Sequence, residues 1–180
     1  DRPRILGITV MPGPQLQEAI PLTRDLRRSF PDLKIVWGGY FPSNHPDVVL
    51  RSGWVDFIVR GPSEVSFKEL VNTLLAEGDY RTIPGLSYLD GHRPVHNPSR
   101  KQLTHPDTVP PWPYHRLGNI EKDLGRSFLG ERTSSMHTSY GCPFKCSFCA
   151  VVPIYEGGWI GRSAGLVADD VEYVSRSFGV

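Results

Sequence analysis

The chain has 180 residues, a formal net charge of +1, 39% hydrophobic residues and 11% aromatic residues. These values are typical of a globular protein with one large or two small domains, and they exclude a disordered chain. The near-neutral charge gives no electrostatic basis for binding nucleic acid or an anionic membrane. No apolar run approaches the ~20 residues of a membrane helix, and no signal peptide is visible, so we expect a cytoplasmic protein.

The first part of the sequence alternates between strand and helix patterns. Short apolar runs predict buried strands at Ile5–Val10, Lys34–Trp37 and Trp54–Val59. A helical pattern covers Gln15–Phe30, where Pro21 predicts a kink or the start of the helix. Another helix follows Gly61, with Gly78 as its expected C-cap. Strands that alternate with helices indicate an α/β fold with a parallel, doubly wound sheet.

The pattern changes in the second part. Two extended runs around Asp90-Gly91 predict a β-hairpin, and the Pro-rich segment from His105 to Gly118 predicts an extended linker. Ser134–Tyr140 resembles a strand that leads into the cysteines. A final helix is predicted from Ser163, its candidate N-cap, to a stop at Gly179. We therefore predict three regions: an α/β domain over 1–80, a hairpin and linker over 81–118, and a further domain that starts at 119 and runs to 180.

Two features suggest a fragment. The first strand of a parallel sheet needs neighbours, and the chain stops where a further strand is expected. We therefore expect sequence on both sides of this piece, and we expect the piece alone to be inactive.

All three cysteines lie in one segment, "SYGCPFKCSFCAV", with the spacing C-x3-C-x2-C. Thiolates suit iron–sulfur clusters and zinc. Three cysteines are one ligand short of a closed zinc site, although His137 could complete a Cys3His site. A thioredoxin-like pair at Cys146 and Cys149, or three unrelated thiols, are the other interpretations. In a cubane cluster, three cysteines leave one iron open for an exogenous ligand.

This cysteine motif, with an aromatic residue before the last cysteine, resembles the signature of the radical S-adenosylmethionine (SAM) enzymes. The resemblance implies that Cys142, Cys146 and Cys149 hold a 4Fe-4S cluster whose fourth iron binds SAM. It also implies that Phe148 lies near the SAM adenine. The strand, loop and helix around the motif resemble the first βα unit of the family's partial (β/α) barrel.

The first part is similar to the cobalamin-binding (B12) domain that precedes this barrel in B12-binding radical SAM proteins. Lys34–Gly39 and Val55–Glu64 match the domain's "P-x-x-x-I-V-x-G-G" and "V-D-x-V-V-R-G-E-G-E" patterns, with Pro62 and Ser63 as departures. The resemblance implies a Rossmann-like domain that binds cobalamin at the carboxyl ends of its strands. The cobalamin contacts it implies are Thr9, Met11, Gly38, Gly39, Tyr40, Gly61 and Glu64.

The two resemblances imply an enzyme that cleaves SAM reductively and uses cobalamin to methylate an unactivated carbon or to form a ring oxidatively. They imply a small-molecule or peptide substrate and an electron donor such as flavodoxin or ferredoxin. No residue is assigned as a general acid or base. Two other functions stay open: a methylthiolating radical SAM protein acting on tRNA, which would carry further cysteines, and a non-catalytic zinc or iron–sulfur module.

The remaining histidines carry no predicted chemistry. They lie in polar or Pro-rich segments, where solvent-exposed or turn roles are expected, and they are His45, His92, His96, His105 and His115.

Overall fold

The computed structural model of the protein describes residues 3–100, 103–116, 118–122, 124–128 and 130–180. It divides into two compact units. The first contains Asp1–Leu103 and Cys142–Gly158, and the second contains Thr104–Gly141 and Trp159–Val180. None of the helices in the described part of the chain is both long and apolar enough to cross a membrane.

A five-stranded sheet forms the centre of the first unit, and its strands lie side by side in chain order. The first three strands run parallel, and the last two add an antiparallel hairpin. This confirms the predicted mixed α/β fold with a parallel sheet and the hairpin at Asp90-Gly91. The strands are β1 (Ile5–Thr9), β2 (Lys34–Gly38), β3 (Phe57–Val59), β4 (Leu86–Asp90) and β5 (Arg93–His96), and the helices of this unit are α1 (Pro14–Ser29), α2 (Tyr40–Asn44), α3 (Pro46–Arg51), α4 (Glu64–Leu75) and α5 (Val152–Tyr155).

Alternate side chains of the strands pack against helices on opposite faces of the sheet. On one face, Ile35, Trp37 and Ile58 form a cluster with residues of α1 and α3. On the other face, Val36 and Val59 pack with Leu70 of α4 and with side chains of the hairpin. Because neighbouring residues of a strand point to opposite faces, an unbroken apolar run such as that of β2 is expected for a strand covered on both sides.

Helix α1 begins at Pro14 and continues through Pro21, so the interpretation that Pro21 starts the helix is wrong. Proline is favoured in the first turn because the missing N–H has no partner there. Ala19 and Thr23 are buried on either side of Pro21 and hold the helix against the sheet. The Thr23 hydroxyl accepts a hydrogen bond of 3.1 Å from the indole Nε1–H of Trp37 in β2.

The end of α4 differs from the prediction that Gly78 is the C-cap. The cap is Ala76, and the left-handed residue after it is Glu77, with φ of 54°. The N–H of Glu77 donates to Leu74 O at 3.4 Å, and the N–H of Gly78 donates to Thr73 O at 2.8 Å. These are the two hydrogen bonds of a Schellman motif, in which a glycine is usual at the position that Glu77 occupies.

Strand β3 is shorter than the predicted Trp54–Val59 because Trp54 and Asp56 accept hydrogen bonds from outside the β3 ladder. Asp56 accepts a hydrogen bond of 2.7 Å from the backbone N–H of Ile35, and it pairs with Arg27 of α1. Arg27 also donates to the carbonyl oxygens of Trp54 and Leu33. One guanidinium therefore ties α1 to the starts of β2 and β3.

The described part of the second unit contains two antiparallel strand pairs and a helix. Ser134–Tyr140 was predicted as a strand, but the strand that forms is Ser139–Gly141, and the Pro-rich linker contains 3-10 turns at Pro106–Thr108 and Tyr114–Arg116. The pairs are those of Gly125–Ser127 with Gly130–Thr133, a short hairpin, and of Ser139–Gly141 with Trp159–Gly161, whose connection belongs to the first unit. The elements are β6 (Gly125–Ser127), β7 (Gly130–Thr133), β8 (Ser139–Gly141), β9 (Trp159–Gly161) and α6 (Ala164–Phe178).

Helix α6 starts after Ser163 and stops at Gly179, as the sequence predicts. The Ser163 side chain makes no capping hydrogen bond; instead, its backbone N–H donates to Asp107 Oδ1 at 3.0 Å. This bond lowers the pKa of Asp107. At the other end, Arg132 donates to the carbonyl oxygen of Phe178 at 2.7 Å, which satisfies one of the free carbonyls of the last turn.

We predict that Asp56→Ala lowers the free energy of unfolding by about 2–3 kcal/mol, because it leaves the Ile35 N–H without its acceptor and removes the carboxylate that pairs with the partly buried guanidinium of Arg27. Urea denaturation measures this loss. Asp25→Ala is the matched control, because its exposed pair with Arg24 should contribute less than about 1 kcal/mol. Equal losses in the two variants would contradict a structural role for the Arg27–Asp56 pair.

Candidate cofactor site

The carboxyl ends of the three parallel strands lie level at one edge of the sheet. Thr9 of β1 is opposite Gly38 of β2, and Gly38 is opposite Val59 of β3. The loops that leave these strands therefore start side by side, which is the usual place for a ligand in a doubly wound sheet. We call this the carboxyl edge: Thr9–Met11, Gly38–Tyr40 and Arg60–Glu64.

Gly39 brings the first two loops of the carboxyl edge together. It has a φ of 91°, and a Cβ at this position would lie 3.0 Å from the Val10 carbonyl oxygen and 3.0 Å from Thr9 Cγ2. The N–H of Val10 donates to Gly38 O at 2.8 Å, and the N–H of Phe41 donates to Val10 O at 3.1 Å. Only glycine fits both the backbone conformation and the space at position 39, so Gly39 has a definite structural cause.

Gly61 connects the third loop to helix α2. Its φ is 73°, and its N–H donates to Ser43 Oγ of α2 at 3.1 Å. Helix α2, which follows Gly39, is thus hydrogen bonded to the loop after β3 as well as to the loop after β1.

The structure brings the predicted cobalamin contacts to one edge but gives them different surroundings. Gly38, Gly39, Tyr40 and Gly61 are half-buried, whereas Thr9, Met11 and Glu64 are exposed. The Met11 N–H donates to Gln15 Oε1 at 3.0 Å, and Glu64 is the first residue of α4. No pair of these residues is a general acid–base couple, and their assignment as cobalamin contacts stays a prediction.

A cavity of about 340 Å³ lies beside the carboxyl edge, on the face of the sheet that α4 covers. Its wall includes Gly7, where a Cβ would lie 2.8 Å from Phe67 Cζ. The Phe67 ring therefore occupies the space that a side chain at Gly7 would take. The lining residues are Gly7, Ile8, Thr9, Val36, Trp37, Gly38, Val59, Ser63 and Phe67.

The cysteine loop belongs to the same compact unit as this edge. The Cys142 N–H donates to Gly158 O at 3.0 Å and closes the loop, and the Cys149 N–H donates to Cys146 O at 3.1 Å in an internal turn. All three thiols are free; Cys146 is exposed, and Cys142 and Cys149 are half-buried. Phe148 is 91% exposed, so its aromatic face is accessible to a ligand.

The donor chemistry of the loop fits an iron–sulfur cluster, because three free thiols lie on one short connection and none is deeply buried. Within the described ranges, no group of three or more His, Cys, Asp or Glu side chains is arranged to hold a metal ion. The three thiols are therefore not gathered around one point, and their role as cluster ligands stays a prediction.

The end of the cysteine loop packs against the carboxyl edge. Helix α5, which starts two residues after Ala150, packs against α2. The Asn44 side-chain amide donates to the Ala150 carbonyl oxygen at 3.4 Å, and a Cβ on Gly61 would lie 3.7 Å from the Ile154 carbonyl oxygen. Ala150 of the predicted cluster loop thus contacts helix α2, and helix α5, which follows the loop, lies beside Gly61 of the predicted cobalamin edge.

Arg60, which follows β3, is a residue of this edge that the sequence did not single out. Its Nη2 donates to the Asn97 carbonyl oxygen, whereas its buried Nε has no partner. Burial lowers the pKa of Arg60. Its place in the motif "VRGPSE" was the only signal available from the sequence.

His96 does not lie in a loop as expected; it lies at the end of β5. Its Nδ1 is 2.9 Å from Ser87 Oγ, and its Nε2 is 2.7 Å from Asp47 Oδ1 of α3. These contacts resemble a hydrolase triad in connectivity, but Ser87 is fully buried and no substrate can reach it. His96 therefore links the hairpin to α3 and has a structural role.

We predict that Gly39→Ala lowers the free energy of unfolding by about 1–3 kcal/mol more than Gly13→Ala does. Both glycines have a similar positive φ, but a Cβ at Gly13 would meet nothing within 4 Å, whereas one at Gly39 meets Thr9 and Val10. The two variants therefore share the backbone strain and differ in the clash. Urea denaturation of both measures the difference, and equal stabilities would contradict the close contact of the two loops.

No protein-family model matches the chain. An uncharacterized methyltransferase of Pyrococcus horikoshii is 27% identical over 179 residues, which are 99% of this chain and 38% of that protein. The cobalamin-dependent radical SAM methyltransferase TokK of Streptomyces tokunonensis is 30% identical over 132 residues, 69% of this chain and 18% of TokK. The chain thus spans less than two fifths of either relative.

Among solved structures, the radical SAM methyltransferase TsrM of Kitasatospora setae, with cobalamin and a 4Fe-4S cluster bound, matches with a TM-score of 0.71. The match has 22% sequence identity and covers 98% of this chain and 36% of TsrM, so it supports the fold. On sequence and fold together, the chain is a homologue of the B12-binding (cobalamin-dependent) radical SAM proteins.

Proposed function

We propose that this chain carries the cobalamin-binding edge and the cluster loop of a radical SAM enzyme that transfers a methyl group to an unactivated carbon. The observation that supports the proposal best is the contact between the cysteine loop and the carboxyl edge in one unit, through α5 and α2. Two of its sequence relatives are named methyltransferases, which supports methyl transfer; others are named anaerobic magnesium-protoporphyrin IX monomethyl ester cyclases, which keeps oxidative ring formation as the second candidate.

Cys142, Cys146 and Cys149 would hold the cluster, and Phe148 would contact the SAM adenine. The hydrogen bond from Cys142 to Gly158 sets the two ends of this loop beside each other, and the Cys146–Cys149 turn sets the spacing of the last two thiols. When bound, the cluster and SAM supply one-electron cleavage of a sulfonium bond, and cobalamin carries the methyl group. The protein's own part is to hold the loop, to exclude water and to position the cofactors.

Cobalamin would lie over the glycine-lined carboxyl edge, in contact with Gly38, Gly39, Tyr40 and Gly61 and with Thr9, Met11 and Glu64 at its rim. Gly38 leaves the end of β2 without a side chain on the approach of a large ring, and Gly39 lets the loops after β1 and β2 lie close together beneath it. Arg60 adds a positive charge at this edge, with an unpartnered buried Nε. An external one-electron donor such as flavodoxin or ferredoxin, and a small-molecule or peptide substrate, complete the proposal.

Anaerobic reconstitution tests the cluster assignment. We expect the wild-type chain to bind about four irons and four sulfides. Its visible and EPR spectra should change when SAM is added, because the fourth iron has no protein ligand. In the variant with all three cysteines changed to alanine, iron binding should be lost. One zinc per chain, with no response to SAM, would contradict the proposal and favour the non-catalytic module.

A labelled methyl group distinguishes methyl transfer from oxidative ring formation. The protein from its complete reading frame is incubated anaerobically with hydroxocobalamin, reductant and SAM that carries a deuterated methyl group. We expect labelled methylcobalamin together with 5′-deoxyadenosine, both measured by mass spectrometry. 5′-Deoxyadenosine without labelled methylcobalamin would instead support cyclisation, and the 180-residue chain alone should release neither product.

A further inference from the structure

We infer that Asn44 is a positioning residue that couples the carboxyl edge to the cysteine loop. The inference rests on the proposed function, and it assigns a role to a residue that neither cofactor is proposed to touch. Asn44 is the last residue of α2, and its side chain donates to the carbonyl oxygen of Ala150 at 3.4 Å. Ala150 directly follows Cys149, the third predicted cluster ligand.

Helix α2 is connected to the loops after all three parallel strands. It follows Gly39 directly, so the loop after β2 sets its start. The N–H of Phe41 donates to Val10 O at 3.1 Å in the loop after β1, and Ser43 Oγ accepts from the Gly61 N–H at 3.1 Å in the loop after β3. A ligand that displaces any of these loops must therefore shift α2 or break one of its hydrogen bonds.

At its other end, α2 transmits such a shift to the cysteine loop. The contacts available are its packing against α5 and the Asn44–Ala150 hydrogen bond. The N–H of Val152, the first residue of α5, donates to Cys149 O at 3.3 Å, so α5 continues the turn that contains Cys149. Occupancy of the cobalamin edge would thus alter the position of Cys149 and the exposure of its cluster to water.

Four variants separate this positioning role from general stability. Asn44→Ala removes the donor, and Asn44→Gln retains an amide donor and should rescue the effect. Asn72→Ala is the matched control, because Asn72 is an exposed asparagine in α4. Ser43→Ala removes the acceptor of the Gly61 N–H and tests the link from α2 to the third loop.

The first readout is amide hydrogen exchange of Val151–Tyr155 in the metal-free chain. Loss of one hydrogen bond should accelerate this exchange about 2- to 10-fold in Asn44→Ala. Asn44→Gln should restore wild-type exchange, Asn72→Ala should leave it unchanged, and Ser43→Ala should accelerate it in the same segment. Unchanged exchange in Asn44→Ala would overturn the inference, whether or not the chain binds iron.

The second readout is the reduction potential of the reconstituted cluster, followed by EPR. Asn44→Ala should bind as much iron as the wild-type chain and have a more positive potential, because water reaching the cluster stabilises its reduced, more negative form. Asn44→Gln should return the potential to the wild-type value. A potential in Asn44→Ala equal to that of Asn72→Ala would overturn the inference, whereas absence of iron in the wild-type chain would overturn the proposed function.

Discussion

The level ends of three parallel strands are the constraint on which the rest of the candidate site depends. The register that sets Thr9 opposite Gly38, and Gly38 opposite Val59, makes three loops leave the sheet side by side. Two of them cross so closely that a side chain at Gly39 has no space. Apolar packing on both faces of the sheet maintains this register, because a slip by one residue would turn each strand's buried side chains to the opposite face.

The predicted ligands of the cluster all come from one short loop, whereas the position of that loop depends on residues that are distant in the sequence. The spacing of Cys142, Cys146 and Cys149 is a property of one loop, and it could be recognised from sequence alone. The packing of that loop on the sheet arises from α2 and α5, which are separated by more than half of the chain. A site composed in this way can retain its metal ligands and still lose its function when a remote helix moves.

The sequence was sufficient for the three parallel strands, for α1, α4 and α6, and for the hairpin, since each has a strong local pattern. It did not predict the short helices α2, α3 and α5. It failed where a tertiary contact overrides such a pattern. Trp54–Asp56 is apolar enough for a strand, yet its carbonyl and carboxylate oxygens are acceptors for Arg27 and for the Ile35 N–H. The sequence predicted that Gly78 ends α4, but the left-handed residue is Glu77. His96 contacts Asp47 of α3 and Ser87 of β4, and no local sequence pattern predicts these contacts. The role of Asn44 was equally invisible, because its partner lies 106 residues away.

The central claim is that the cysteine loop and the carboxyl edge form one site for two cofactors. The most direct measurement is pulsed EPR of the protein from its complete reading frame, loaded with the reduced 4Fe-4S cluster and with Co(II) cobalamin. Both centres are paramagnetic, so the dipolar coupling between them reports their separation. We predict a resolved coupling that is lost when Cys142, Cys146 and Cys149 are replaced by alanine. Two uncoupled signals from a doubly loaded protein would contradict the account.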